Sequence, residues 1–519
     1  MAARDRVRLA EVVASLSLAT DLGAGGSFED ALRASLTATR LSGLLGLPDD
    51  QHSDVYYLPL MAFVGCTSTA HMASTVFGPE IETFSHAYKT DPTDEMAMMR
   101  AMLPAIGEGR PLLERLAIFG KMFANRDMFA EGSRGHCEVA QMIGARMGFT
   151  TGFQACLLQV FERWDGKGRP NGVAGASIAL AARIGILANL ACAWTRVYDL
   201  DTALRMIEQR SGRTFDPALV EVFSTHGREL LEALEPESLW DEVMRAEPAP
   251  HRYLAGSQIE EACFAIADFA DLKSPFTLGH SRGVAELAQS AASACGLPQQ
   301  DAEDLHLAGL LHDVGRAGVS NDVWDKAGPL TESQRERMRL HAYYTQRILV
   351  RLHGLGRAAA LAGTHHERLD GSGYHRGVAA RDLSPPARIL AAADVYHALL
   401  EDRPHRRALE PSAAAHTLEQ EARAGRLDAD AANAVLQAAG VNKRPLRRML
   451  PADLTEREVE VLRLIAHGQN NRVVAAELSL SPKTVGNHIE HIYSKIGVSS
   501  RAGATLFALQ NGILDEPEK

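Results

Sequence analysis

Two stretches 205 residues apart, Glu162–Ile184 (ERWDGKGRPNGVAGASIALAARI) and Glu367–Ile389 (ERLDGSGYHRGVAARDLSPPARI), are identical at 11 of 23 positions. A chain with such a repeat folds as two copies of one scaffold. Residues common to both copies then serve the scaffold, and residues confined to one copy are candidates for chemistry. His365-His366 of the second copy stand against Val160-Phe161 of the first. His312-Asp313 (LLHDVG), aligned through Gly315 and Gly65, stand against Ala62-Phe63, and Asp394 stands against Asn189. Among the candidate ligands only His341 has a counterpart, His136. One copy reads as a metal site and the other as the same scaffold with its ligands replaced.

Helical spacing dominates, and no alternating run is long enough to argue for a sheet, so the expected fold class is all-α. A length of 519 residues suits about three domains. The expected boundaries are a metal-free helical module at 1–235, a Pro/Glu linker at 236–257 and a second module at 258–440. A basic linker at 441–452 and a last domain at 453–515 complete the chain. The register offset falls from 250 to 205 within the first copy, which places extra chain within Thr67–Arg134. Six scattered cysteines without a CxxC pair indicate buried thiols in a reducing compartment. The N-terminus is a poor secretory signal, because Glu11 and Asp21 interrupt it. The most apolar stretch, Ala176–Trp194, contains Arg183 and Asn189 and reads as a buried helix of the repeat, so the expectation is a cytoplasmic protein without a membrane segment.

Transition-metal sites need imidazoles and carboxylates converging on one volume. The second copy supplies His280, His312, Asp313, His341, His365, His366 and Asp394, several of them in apolar helical contexts such as LAGLLHDVG and ARILAAADVYHALL. A lone carboxylate among such residues would cost several kcal/mol of desolvation, so a cation or a donor should face it. An adjacent His-Asp pair also suits a two-metal centre, in which one carboxylate bridges ions about 3.5–4 Å apart and a phosphoryl group is polarised.

The motifs HSRGV, HDVGRAG, KAGPLT, HHERLDGSGY, ILAAADVYHAL and DRPHR, in that order over about 165 residues, resemble the HD-GYP branch of the HD phosphohydrolases. The resemblance implies an all-helical fold with two divalent transition-metal ions, iron or manganese. It places one ion on His280, His312, Asp313 and Asp394, and a second on His341, His365 and His366 with Asp313 as the bridge. It further implies catalytic roles for Asp313 and Arg316, substrate contacts for Gly373, Tyr374, Arg388 and Arg403, and a cyclic dinucleotide such as cyclic di-GMP as substrate. Three departures stand out. The usual lysine after HD is Arg316, Gly-Tyr-Pro reads Gly373-Tyr374-His375, and the position of a third-metal glutamate is Phe276. Phe276 at that position favours two ions over three. His375 is expected to face solvent from its loop. Arg388 is matched by Arg183, and the Asp-Gly-x-Gly loop is matched too, which by the repeat argument makes them architectural.

Downstream, Leu454 and the capping box Thr455-x-x-Glu458 open a helix, a short helix at Asn471–Leu478 follows, and Ser481-Pro482 open a third that ends at Gly497. LTEREVEVL and SPKTVGNHIEHIYSKIGVSSR closely resemble the LuxR/NarL-type four-helix DNA-binding domain, with its helix-turn-helix. Between Val441 and Gln510 there are ten Lys/Arg against six Asp/Glu, within a chain of net charge −11, and this local reversal suits phosphate contact. Lys483, Thr484, Asn487, His488, Lys495 and Arg501 are the candidate DNA contacts, and Gly486 takes a place often held by lysine. The expected protein is a transcription regulator, binding duplex DNA as a homodimer, with a phosphodiesterase module. Two alternatives are a nucleotide sensor without turnover and a hydrolase of another nucleotide or phosphate ester.

Overall fold

The computed structural model describes residues 6–88, 128–232, 238–441 and 451–511 apart from 467, with a few isolated positions elsewhere. The basic linker at 442–450 and most of the extra chain beyond Tyr88 lie outside these residues. The fold is all-α. Among the described residues the one sheet is the two-residue antiparallel pair Val7–Arg8 with Tyr253–Leu254.

The repeat is visible helix by helix. Asp30–Leu44 matches His280–Ala294, Asp49–Met61 matches Gln299–Leu311, and Thr151–Leu157 matches Gly356–Ala362. Leu180–Val197, the apolar stretch, matches Pro385–Leu399 and buries Trp194, so it serves as a core helix. Shared residues hold shared turns. The buried Glu162 accepts the N–H groups of Asn171 (2.8 Å) and Val173 (3.0 Å), and Glu367 accepts those of Arg376 (2.9 Å) and Val378 (3.0 Å). A Cβ on Gly373 would lie 2.5 Å from the Glu367 Cα, and one on Gly168 2.4 Å from the Glu162 Cα, so only glycine lets this loop fold back on itself.

Within the segment read as a linker at 236–257, residues 238–257 are structured. Ser238 caps a helix, Leu239–Ala246, whose Leu239, Trp240, Val243 and Met244 are buried at helical spacing. Its Pro- and Glu-rich flanks concealed four core residues. Buried side chains of both copies then form one continuous core, from Val7 to Leu436.

The last domain has its own core of Leu454, Val461, Leu462, Ile465, Val474, Val485 and Ile492. Its helices are Glu456–Ala466, Asn471–Glu477, Pro482–Ile496 and Arg501–Gln510. The capping box forms, with the Thr455 N–H donating to Glu458 (2.7 Å) and the Glu458 N–H to Thr455 Oγ1 (3.2 Å). Ser481 caps the third helix, Pro482 begins it, and Gly497 ends it in the left-handed region at φ 70°.

Candidate metal centre

Three helix ends and two helix interiors bring seven candidate ligand residues together. His280 opens His280–Ala294, and the buried Asp271 pins that opening by accepting the Ser281 N–H (3.0 Å) and Oγ (2.7 Å). His312 and Asp313 follow the end of Gln299–Leu311. His341 approaches from Glu332–Leu349. That approach depends on Gly315, where a Cβ would lie 2.1 Å from the His341 carbonyl oxygen and 2.4 Å from the Thr345 nitrogen. Gly65 makes the same approach to His136 in the first copy, which supports the alignment of both pairs. His365 and His366 follow Gly356–Ala362, and Asp394 projects from within Pro385–Leu399.

Asp313 divides the cluster. Its Oδ2 lies 3.5 Å from His312 Nε2 and 3.8 Å from His280 Nε2, while its Oδ1 lies 3.6 Å from His341 Nε2 and 3.7 Å from His365 Nε2. Asp394 Oδ1 is 3.3 Å from His280 Nε2 and 3.8 Å from His312 Nε2, and its Oδ2 is 3.5 Å from His366 Nδ1. Ligands about 2.1 Å from one ion sit roughly 3–3.8 Å apart, so these spacings fit shared ions. His280, His312 and Asp394 make one donor group, and His341, His365 and His366 another.

The hydrogen bonds orient these rings toward metal. Nδ1 of His312, His341 and His365 donates to the carbonyls of Gly309 (2.7 Å), Met338 (2.6 Å) and Ala362 (2.7 Å), which leaves each Nε2 lone pair facing the cluster. His312 Nε2 is buried without a hydrogen-bond partner among the described residues. His341 Nε2 and His365 Nε2 face each other at 3.2 Å, and with both protons on the outer nitrogens a cation is the partner that accommodates two lone pairs. Burial depresses the basicity of His341, His365 and His366, that of His365 to about 3, keeping them neutral as ligands must be. Burial would raise Asp313 and Asp394, but the surrounding imidazoles hold both well below the usual carboxylate range, helped at Asp313 by Arg316. Burial also opposes charge on His280, yet its contacts with Asp394 and Glu401 prevail and push it up to about 10. Three carboxylates facing one ring demand positive charge there, which a divalent ion supplies.

Sequence reading missed Glu401. It accepts from His280 Nδ1 (2.9 Å) and from Arg403 Nη2 (2.6 Å), and His397 Nδ1 lies 3.4 Å from its other oxygen. The signal was available in the repeat. The matching pair in the first copy is Asp30 and Arg196, joined by a hydrogen-bonded ion pair with the charges exchanged. Elsewhere that copy has filled its centre with carbon: Phe63 and Phe161 enclose His136, whose Nε2 bonds the Ala62 carbonyl (2.8 Å) and whose pKa burial lowers to about 4.

The other candidates separate into two sets. Arg316 is buried against Asp313 (3.2 Å) and stacks on Trp324, and Arg403 is hydrogen-bonded to Glu401 (2.6 Å) beside the centre. Tyr374 lies 4.7 Å from the His366 ring, centroid to centroid. Arg388 is placed elsewhere. It bonds Asp428 (3.0 Å) and the carbonyls of Leu383 and Ala380, as Arg183 bonds Asp216 and the Ile178 carbonyl, so its role is architectural. Gly373 is likewise required by the turn. His375 turns from solvent to bond Gln346 (2.6 Å). In the last domain Lys483 and Asn487 are exposed, with Thr484 and His488 half-exposed beside them. Lys495 instead pairs with Glu458 (2.7 Å), and Arg501 bonds the Gln469 carbonyl (2.9 Å), so both are engaged in holding the domain together.

A helical scaffold that sets two imidazole groups astride one shared aspartate is the arrangement of a metal-dependent phosphohydrolase. The HD domain family model matches residues 265–431, and the model for bacterial regulatory proteins of the luxR family matches 452–508. The 3'3'-cGAMP-specific phosphodiesterase 3 of Vibrio cholerae is 31% identical over 411 residues, spanning 78% of this chain and 89% of its own. A crystal structure of a cyclic GMP-AMP specific phosphodiesterase from V. cholerae superposes with a TM-score of 0.60 at 27% identity, covering 84% of this chain and 99% of that one. The last domain is 47% identical over 62 residues to the probable transcriptional regulatory protein NarL of Mycobacterium tuberculosis, which is 12% of this chain and 29% of that protein. The chain belongs to the HD-GYP-type HD-domain phosphodiesterases and carries a LuxR-type helix-turn-helix domain behind the enzyme.

Proposed function

We propose that the second module hydrolyses a cyclic dinucleotide, 3'3'-cyclic GMP-AMP or cyclic di-GMP, using two iron or manganese ions, and that the last domain binds duplex DNA as a homodimer in the cytoplasm. The observation that carries this reading is the division of Asp313, whose two oxygens serve separate imidazole groups. Divalent ions held by His280, His312, Asp313, Asp394, His341, His365 and His366 would supply polarisation of a phosphodiester and hydroxide as the nucleophile near neutral pH. The protein's own groups do the rest. Arg316 lies against Asp313, where its guanidinium offsets charge developing on the phosphate oxygens. Tyr374, under the Arg339 guanidinium at 5.5 Å, offers a flat face at the mouth of the centre. The relative matching most of this chain acts on 3'3'-cGAMP, and the Thermotoga maritima cyclic di-GMP phosphodiesterase is 31% identical over 156 residues, so both substrates belong in the test.

Manganese-loaded protein should convert one of these dinucleotides to linear product, resolved by chromatography, and His312→Ala should abolish the conversion. Binding without turnover by fully loaded protein would instead make the module a sensor. A gel-shift titration with and without the dinucleotide reads the DNA arm, and sedimentation reads the dimer.

A further inference from the structure

We propose that Trp324 is the positioning residue for Arg316, and that the metal-free module holds Trp324 in place through Glu80. This inference rests on the phosphodiesterase reading of the second module. Arg316 replaces a lysine in the family pattern, and a guanidinium differs from an ammonium in having a plane that must be aimed. Trp324 sets that plane. The Arg316 Cζ lies 3.8 Å from the centre of the Trp324 ring, while Nη1 donates to Asp313 Oδ2 at 3.2 Å. The same indole meets the ring of His341 edge-on at 5.2 Å, so it forms a wall shared by the cation and a candidate ligand. Arg316 Nε and Trp324 Nε1 are buried donors without a partner among the described residues, available to an oxygen entering this corner.

Trp324 ends a helix of four residues, Asn321–Trp324, too short to keep its place by its own hydrogen bonds. Its anchor comes from the other module. Glu80, wholly buried, accepts the Asn321 N–H at 2.9 Å and the Ser320 hydroxyl, and pairs with the buried Lys273 at 3.3 Å. His71 adds a bond to Asp325 (2.7 Å), which also receives Ser274 Oγ (2.6 Å) and Asn321 Nδ2 (2.7 Å). His71 and Glu80 both lie in the interval Thr67–Arg134, where the first copy is longer than the second. This lengthened interval of the first module thus reaches the wall of the metal centre. A second contact runs from Leu9–Gly23 to the turn after Asp313, where a Cβ on Gly23 would meet the Ala317 carbonyl at 3.2 Å.

The test is a set of variants of the full chain, loaded with manganese: Trp324→Leu, Trp324→Phe, Glu80→Gln, Arg316→Lys, and Trp324→Leu combined with Arg316→Lys. The readings are kcat and KM for the cyclic dinucleotide, the dissociation constant of inorganic phosphate by calorimetry, and metal content. Trp324→Leu should lower kcat and phosphate affinity roughly tenfold with metal content unchanged, the scale of a desolvated cation–π contact. In the Arg316→Lys background it should add nothing, because the plane it aims is gone. Trp324→Phe, which keeps a flat face, should recover most of the loss, and Glu80→Gln should reproduce part of it. Equal losses from Trp324→Leu in both backgrounds, or no loss in either reading, would overturn the positioning role. Unchanged values in Glu80→Gln would remove the first module from the arrangement. Wild-type protein that turns over no dinucleotide would defeat the substrate assignment, while the phosphate measurement still decides this one.

Discussion

Exchanging the charges of the His280–Glu401 pair should convert the second centre toward the first without unfolding it. His280→Asp alone sets a new carboxylate among Asp313, Asp394 and Glu401, which lie 3.8, 3.3 and 2.9 Å from the present imidazole nitrogens, the shorter side chain standing farther from the first two. At an effective dielectric of about 20 and a separation of about 4 Å, each like-charge pair costs on the order of 4 kcal/mol. Protonation limits the total, since taking up a proton at neutral pH costs a carboxyl of ordinary pKa about 4 kcal/mol. The single variant should therefore lose up to about 4 kcal/mol in metal-free protein, roughly 8–16 °C in the transition of a module of this size. Adding Glu401→Arg restores opposite charge, but it leaves Arg403 facing a second guanidinium. The matching first-copy position is Tyr198, so the triple variant His280→Asp, Glu401→Arg, Arg403→Tyr removes that conflict. Calorimetric melting in a chelator should return the triple variant to within a few degrees of wild type, with one ion per chain on reloading instead of two. A triple variant melting at or below the single one would refute the idea that Asp30–Arg196 is the structural equivalent of this pair.

Asp313→Ala should strip both ions, read by metal analysis after desalting, because both donor groups lean on its two oxygens. Glu401→Gln should weaken the ion on the His280 side by roughly 10–100-fold in chelator competition and spare the other, since it alters an outer partner of one ligand only. The pKa of His136 is depressed to about 4, so its contribution to stability is complete above about 6.5 and is lost as pH falls through 4. His136→Phe should flatten that acid limb, worth about 3 kcal/mol, in melts of metal-free protein between pH 7 and 4. Lys483→Ala should weaken DNA binding and lower its salt slope by about one unit. Lys495→Ala should instead lower the melting point of the last domain, because it unpairs the largely buried Glu458.

The cluster of seven candidate ligands was legible because metal chemistry needs few residue types and the repeat supplied a comparison within the same chain. The same comparison set Arg388 beside Arg183, and in the structure each bonds an aspartate and a backbone carbonyl. Glu401 escaped it for a definite reason: aligning copies by identity finds what is kept, and at this pair the geometry was kept while both charges were exchanged. Lys495 and Arg501 escaped because a basic side chain near a recognition helix has the same composition whether it faces phosphate or a neighbouring carbonyl. Glu80 was beyond reach, since it lies 240 residues from Ser320, in an interval where the register between the copies is lost. Through the Lys273 ion pair and the opening of the Trp324 helix, Glu80 of the first copy braces the copy that carries the candidate ligands, a contact between copies that comparing one copy with the other does not reveal.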